Sequence, residues 1–430
     1  MEYFHEGSPN AVITERRARG LIDRMLAALG DLKRVLLVPP DVTRAASWAG
    51  PLTVMLYERL KASAHVEILP ALGTHAPMTD TELAAMFPGV PRPAFRVHDW
   101  RRDLVRLGEV PAEFINEVTE GKLSFSLPCE VNRLLVEGGW DRIISLGQLV
   151  PHEVSGIANH SKNIFVGVGG QDTINKTHFI GAVCGMERIM GRARSPVRAV
   201  LEYMTKHFAQ NLPVAYILTV RGKDDTGRLV TRGLYAGDDE ACFLRGAELC
   251  RQVNLDLLDS PLEKAVVYLD PNEFKSTWLG NKAIYRTRMA LADGGDLIVL
   301  APGVRTFGED AEIDRLIRKY GYRGTPHTLR MVQQNTDLAA NLAAAAHLIH
   351  GSSEGRFNIA YCPGGLTREE VETVGFAYAD LSDMLERYDP ASLNDGWNVT
   401  DDDERVFYIS NPGLGLWALR AQFQDEQHGQ

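Results

Sequence analysis

Apolar positions recur along this chain with two periods, and the switches between them predict its elements. From Ile13 to Leu29 they fall at helical spacing and stop at Gly30, which predicts a helix. Arg34-Val35-Leu36-Leu37-Val38 is a short apolar run cut off by Pro39-Pro40, the mark of a buried strand. Leu52, Met55, Leu56 and Leu60 share one face of a second helix, and Val66-Glu67-Ile68-Leu69 is a second strand that feeds Gly73-Thr74-His75. Thr79 or Asp80 can cap a short helix over 81–87. Arg142-Ile143-Ile144-Ser145-Leu146-Gly147 is a further buried strand that ends in glycine. Strand, loop and helix in repeated order predict a parallel sheet with helices on both faces.

Val214–Val220 and Leu229–Leu234 alternate as strands around the hairpin signal Lys223-Asp224-Asp225-Thr226-Gly227, and Glu240 to Val253 has helical spacing. The composition breaks near Asp259-Ser260-Pro261, so two domains are expected, 1–260 and 261–430. In the second, 265–269, 297–300, 358–362 and 406–409 are strand candidates. Ile313, Leu316, Ile317 and Tyr320 define a helix stopped by Gly321, and Asp337–His350 an Ala-rich helix stopped by Gly351. Trp278-Leu279-Gly280-Asn281-Lys282 leads into a helix expected to end at Gly294-Gly295, with Trp278 and Lys282 on one face. The fold class is therefore α/β, two α/β domains with mainly parallel sheets.

Composition changes this picture little. A length of 430 residues is ample for two or three cores, and a net charge of −10 argues against a nucleic-acid-binding surface. Five scattered cysteines without a CxxC pair argue against a disulfide framework or a thiolate zinc site. No signal peptide and no apolar run of membrane-spanning length is visible, so a cytoplasmic protein without membrane partners is expected. The polar tail Gln422–Gln430 is expected to fray.

The candidate chemistry sits just past the predicted strands, where α/β folds place ligands. These ends carry Asp41 and Arg44, His75, and His152. The last opens the densest stretch, Pro151-His152-Glu153-Val154-Ser155-Gly156-Ile157-Ala158-Asn159-His160-Ser161-Lys162, followed by the glycine-rich loop 167–170 and His178. Imidazoles carry protons or ligate metals, and a lysine with a lowered pKa is a nucleophile. Each residue also has a plain reading: Asp41 as a turn residue, Arg44 as its ion-pair partner, His75 as a hydrogen-bonded core histidine. Trp278 can be core and Lys282 a solvated charge.

The set Asp41-x-Thr43-Arg44, Gly73-Thr74-His75-x-Pro77-Met78-Thr79, Pro151-His152, Lys162 and His178 resembles the lactate racemase family, the nickel-pincer nucleotide enzymes. The resemblance covers most of the chain and is strongest from 35 to 182. It implies two α/β domains with the active site in the cleft between them. The implied cofactor is a nickel-pincer nucleotide, a pyridinium-3,5-bisthiocarboxylic acid mononucleotide carrying nickel, covalently tethered through Lys162. Ser161 and Asp41 are then cofactor contacts, His178 the nickel ligand, and His75 and His152 the acid/base pair. Arg44 and Lys282, with Trp278, are implied on the substrate side. The implied reaction inverts C2 of a 2-hydroxy acid: the C2 hydrogen leaves as hydride, which avoids a carbanion, and returns to the other face of a keto acid. Cofactor-assembly proteins are the implied partners.

Departures from the family pattern concern the pocket. The family's usual Gly-Phe-Ser-Gly-Gly-Ala-Lys is here Gly156-Ile157-Ala158-Asn159-His160-Ser161-Lys162, and Leu279 stands where lactate racemase has a glutamine. No tryptophan occurs in 330–350 to close a lactate pocket. Asn159 and His160 would add hydrogen-bonding groups toward substrate, which favours a polyhydroxylated acid such as D-gluconate, epimerised at C2. Malate, lactate or another small 2-hydroxy acid is the alternative. Outside the family, a metal-dependent hydrolase leaves Lys162 without a role and lacks HExxH, and a non-catalytic sugar-acid-binding protein leaves the histidines unexplained.

Overall fold

The computed structural model describes residues 1–413 and 415–423. The part of the polar tail from 424 onward lies outside the described residues. The chain divides into two units, Met1–Ile180 with Arg188–Asn254, and Gly181–Glu187 with Leu255–Gln430. The boundary falls a few residues before the compositional break, because Leu255–Leu258 pairs in parallel with Leu416–Leu419 of the second unit.

The first unit is built on a six-stranded sheet: β1 (Glu2–Gly7), β2 (Arg34–Val38), β3 (His65–Ile68), β4 (Arg142–Leu149), β5 (Val214–Lys223) and β6 (Leu229–Gly237). Their order is β1-β6-β5-β4-β2-β3. The four strands β5, β4, β2 and β3 are mutually parallel, and β1 and β6 add an antiparallel edge. From β2 the chain goes outward to β3, then returns across to β4 on the other side. That reversal is a topological switch point, the place where open α/β sheets form a ligand crevice. Val35, Leu37, Ile68, Ile144, Leu146 and Ile217 pack one face against Leu21, Ile22 and Met25 of the helix Glu15–Leu29, and against Leu52, Met55 and Leu56 of the helix Ala49–Leu60. Thr14 starts the first of these helices by accepting from the Arg17 N–H, and Gly30, at φ 75°, stops it. Thr79 and Glu82 form a reciprocal capping box on Asp80–Met86.

The second unit carries another six-stranded sheet, β7 (Leu262–Tyr268), β8 (Leu291–Ala301), β9 (Asn358–Pro363), β10 (Ala377–Tyr378), β11 (Gly396–Val399) and β12 (Arg405–Ile409). The order is β10-β9-β8-β7-β12-β11, parallel except at the β11–β12 edge. The chain is thus mixed α/β with mostly parallel sheets, as expected.

Two helices differ from the sequence reading. The segment expected to be one helix from Asp337 to His350 is two, Thr336–Ala339 and Leu342–His350. Asn341 breaks the run, since its side chain accepts from the Ala344 N–H and caps the second piece. The helix expected to reach Gly294-Gly295 stops at Tyr285, and both glycines lie within β8. Trp278 and Lys282 fall on successive short helices, Thr277–Gly280 and Lys282–Tyr285, joined at Asn281. Among the described residues no helix is long and apolar enough to cross a membrane. The five cysteines are buried free thiols.

Candidate active site

Asp41 follows β2 and stands at the head of the 3-10 turn Val42–Ser47. Its buried carboxylate accepts from Thr43 Oγ1 at 2.5 Å and lies 2.6 Å from His75 Nδ1. Burial alone would raise its pKa, but the bonds from His75 and Thr43 hold it below the ordinary carboxylate value. An ionised carboxylate only accepts, so His75 Nδ1 carries the hydrogen, and in the neutral ring Nε2 presents the lone pair. The His75 ring is exposed, as a proton carrier to a ligand must be. Arg44, also exposed, follows on the same turn, its N–H bonded to the Asp41 carbonyl at 3.0 Å.

His152 lies past the end of β4, in a short hairpin of Pro151–His152 with Gly156–Ile157. The Val154 N–H donates to His152 Nδ1 at 3.1 Å. Burial drives the His152 pKa well below the ordinary value, and positive charge on Lys162 and Arg44 adds to this. The ring is therefore neutral with its hydrogen on Nε2. The two histidines of the expected acid/base pair thus differ: His75 offers a lone pair at Nε2, and His152 offers a donor.

His178, on the helix Gln171–Cys184, has Nδ1 2.6 Å from the Ile174 carbonyl, which can only accept. Its Nε2 lone pair is left free for a ligand. Burial, with positive charge on Lys162, lowers its pKa to about 4. Lys162 is lowered to about 8, by burial first and then by the Arg44 charge. An amine partly neutral near physiological pH is a competent nucleophile.

These groups form one electrostatic cluster. His152 responds to Glu153, Lys162, Arg44 and His178; Lys162 responds to Arg44, Glu153, Arg198 and Asp41. Sequence reasoning missed two members. Glu153 is the negative charge that opposes the lowering at His152, Lys162 and His178, and its position beside His152 was the available signal. Arg198 lies on the later helix Pro196–Phe208, and no local signal marks it.

The glycine-rich loop is knit to its surroundings through backbone. The Gly73 N–H bonds to the Gly167 carbonyl at 2.8 Å, and the Asn132 N–H to the Val168 carbonyl at 2.7 Å. Asn163 Nδ2 ties Val38, at the end of β2, to Ser145 of β4.

Asn159 and His160 are buried, with left-handed backbone at φ 69° and 57°. Glycine, the residue of the family pattern at both positions, takes such a backbone without strain. Asn159 Nδ2 donates to the Leu146 carbonyl at 3.4 Å and packs over Gly147, where a Cβ would stand 1.7 Å from it. The His160 ring lies 3.9 Å from Tyr216 and 5.3 Å from Phe243, centroid to centroid. It lines a cavity of about 120 Å³ with Glu202, Tyr216 and Asp238–Glu240, and this cavity contains none of the other candidate residues. Ser161 Oγ accepts from Arg198 at 3.0 Å and donates to Glu202 at 3.3 Å.

In the second unit the Trp278 ring lies 4.4 Å from that of His347, whose Nε2 is 2.9 Å from the Tyr322 hydroxyl. An aromatic partner thus does come from 330–350, as a histidine. Lys282 is half-buried, with Nζ 5.3 Å from the centre of the Phe274 ring.

The neutral buried histidines give a pH prediction. Burial lowers the His160 pKa to about 3 from an ordinary 6.5. The unfolded chain therefore binds the extra proton first, so the contribution of His160 to stability is complete above pH 6.5 and declines as pH falls toward 3. Asparagine tolerates the left-handed backbone, so His160→Asn should flatten the fall of Tm with acid over that window. An unchanged slope in a calorimetric pH series would show that His160 is not buried neutral.

Residues 21–189, which include Asp41, Arg44, His75, His152, Lys162 and His178, match the family of the lactate racemase N-terminal domain. Two solved structures share the fold over nearly the whole chain. A Thermotoga maritima protein is 24% identical with a TM-score of 0.79, and the match covers 96% of this chain and 100% of that one. The lactate racemase apoprotein from Thermoanaerobacterium thermosaccharolyticum is 18% identical with a TM-score of 0.70, covering 95% and 94%. At these identities the likeness is one of fold. No curated protein matches the chain.

Proposed function

We propose that this chain is a racemase or epimerase of the lactate racemase type, acting at C2 of a 2-hydroxy acid with a nickel-pincer nucleotide attached at Lys162. One observation carries the reading: a half-buried lysine with a lowered pKa shares an electrostatic cluster with His152, His178 and Asp41, the last bonded to His75, within the matched segment.

The residues fit the cofactor on two counts. His178 keeps Nε2 free because Nδ1 is engaged by a carbonyl, and neutral imidazole suits nickel. Among the described residues no group of three or more His, Cys, Asp or Glu is disposed to hold a metal ion alone, so further ligands would come from the cofactor itself. When bound, the nickel-pincer nucleotide supplies a hydride acceptor and donor for C2.

The chain's own part is binding and proton movement. Arg44 would hold the substrate carboxylate, since a guanidinium matches its planar geometry, and Lys282 is proposed separately as a substrate contact. His75 Nε2 would take the hydroxyl proton of one enantiomer, with Asp41 stabilising the imidazolium that forms. His152 in its resting form would donate from Nε2 to the substrate oxygen; to take the hydroxyl proton of the other enantiomer at Nε2, its ring would hold its hydrogen on Nδ1 instead and give up the bond from the Val154 N–H. Trp278 would pack against the substrate's body. Asp41 and Ser161 would border the cofactor, though both already have partners within the chain.

The aldonate reading rested on Asn159 and His160. Asn159 is bonded within the chain and the His160 ring lines a cavity that holds none of the other candidate residues, so the substrate class proposed is the 2-hydroxy acid, with D-gluconate and lactate as the two arms of the test. Holo-protein made beside the cofactor-assembly proteins should invert C2 of at least one acid from such a panel. In D2O the product should retain its C2 hydrogen, because hydride return, unlike carbanion reprotonation, brings in no solvent deuterium. Full deuteration at C2 would exclude the hydride route, and inactivity on every acid tested would exclude the class.

A further inference from the structure

We infer that Arg198 and His160 together anchor the backbone turn in front of Lys162, and that Arg198 is a positioning residue for the Lys162 amine. The functional meaning rests on the proposed role of Lys162; the anchor itself is read from geometry.

The turn is demanding. Asn159 and His160 are consecutive non-glycine residues in the left-handed region, and helical backbone begins directly after them at Ser161, with Lys162 at φ −58° and ψ −38°. The direction of the Lys162 side chain therefore depends on how these two residues are held. Left-handed residues persist where their surroundings over-determine them.

Here the surroundings do so from two sides. The Arg198 guanidinium donates to the Ile157 carbonyl at 2.6 Å, to the Asn159 carbonyl at 3.3 and 3.4 Å, and to Ser161 Oγ at 3.0 Å. One buried fork thus reaches three residues of the five from 157 to 161. The His160 ring fixes the turn from another direction. It lies tilted against Tyr216 and Phe243, and Arg198 Cζ lies 4.2 Å from the Phe243 ring centre. Tyr216, His160, Phe243 and Arg198 make one layered set. Glu202, four residues after Arg198 on the same helix, accepts from Ser161 Oγ and stands 3.9 Å from His160 Nδ1.

The arginine is only 2% exposed, its Nε has no hydrogen-bond partner, and burial lowers its pKa to about 10. A buried cation bonded mainly to carbonyls is poor economy for stability alone. Holding a loop and placing positive charge near Lys162 gives it a reason, and Lys162 responds to that charge.

The test uses the full-length apo-protein. Lys162 is acylated with acetic anhydride at pH 8, its labelling is compared by peptide mass spectrometry with that of the other lysines, and amide exchange is followed in the same samples. Arg198→Met should lower the relative labelling of Lys162 by up to about fivefold, the effect at pH 8 of a rise of about one unit from a pKa of about 8. It should raise exchange across 157–162 by at least about tenfold while leaving β4 protected. Arg198→Lys keeps the charge but not the fork, and should recover part of the labelling without quieting the loop. A purely structural arginine would lower Tm and leave the labelling ratio unchanged, which would overturn the proposal. Should Arg198→Met fail to fold, His160→Gly decides: glycine accepts the backbone, so the fold should survive while 157–162 exchanges faster, and unchanged exchange rejects the anchor. Absence of an adduct on Lys162 in holo-protein would remove the proposed function and leave these apo-protein results standing.

Discussion

Replacing Lys162 by alanine should abolish turnover and leave the fold intact. In the proposed chemistry the residue is the attachment point, and a cofactor supplies the difficult step. Without it the loss should approach the whole enzymatic acceleration, at least about 10⁶-fold. The basis is the lowered pKa of about 8, which keeps part of the amine neutral near physiological pH. The folded state disfavours the charged amine, so the unfolded chain binds more protons between about 8 and 10.5. Lysine there is a stability cost at neutral pH, and Lys162→Ala should hold or raise Tm. Lys162→Arg keeps a cation but offers no such amine, and should be equally inactive. Intact mass on holo-protein checks both variants: wild type should carry the nucleotide adduct, and each variant should be unmodified. A variant that stays unmodified yet turns over normally would refute the attachment.

How much of this was legible in the sequence differs from residue to residue. Val35–Val38 and Ile143–Leu146 announce themselves because strands buried on both faces are apolar throughout. Once they are read as parallel, the sheet rule places Asp41, His75 and His152 past their carboxyl ends. The break at Asn341 was hidden by the Ala-rich run, since an asparagine can cap a helix or sit within one and only its neighbours decide. Gly294-Gly295 read as a helix stop, but a strand also takes glycine. Asn159 and His160 read as additions to a pocket because residue type carries no direction. Their left-handed backbone and layered packing emerge only when Tyr216, Phe243 and Arg198 arrive from distant segments. The hydrogen placement on the three histidines is likewise tertiary: it follows from what Asp41, the Val154 N–H and the Ile174 carbonyl can accept or donate.

That placement yields a second large effect. Asp41→Asn should lower kcat by about a hundredfold or more, because an amide can present its NH2 to His75 Nδ1 and move the ring hydrogen to Nε2. His75→Asn and His152→Asn should each cost about 10²–10⁴-fold, the usual contribution of a positioned proton carrier. For an enantiomeric pair the equilibrium constant is one, so kcat/KM must fall equally in both directions whichever histidine is lost. The half-reactions are not so constrained. Holo-protein mixed in stoichiometric amount with one enantiomer, then acid-quenched, should release keto acid from both enantiomers in wild type. His75→Asn should release it from one only, and His152→Asn from the other. Asp41→Asn should follow the His75 pattern, since the 2.6 Å bond makes the two a single unit. Equal yields from both enantiomers in every variant would mean that the histidines do not divide the proton transfers. An Asp41→Asn pattern matching that of His152→Asn would mean that Asp41 acts through the electrostatic cluster rather than through His75.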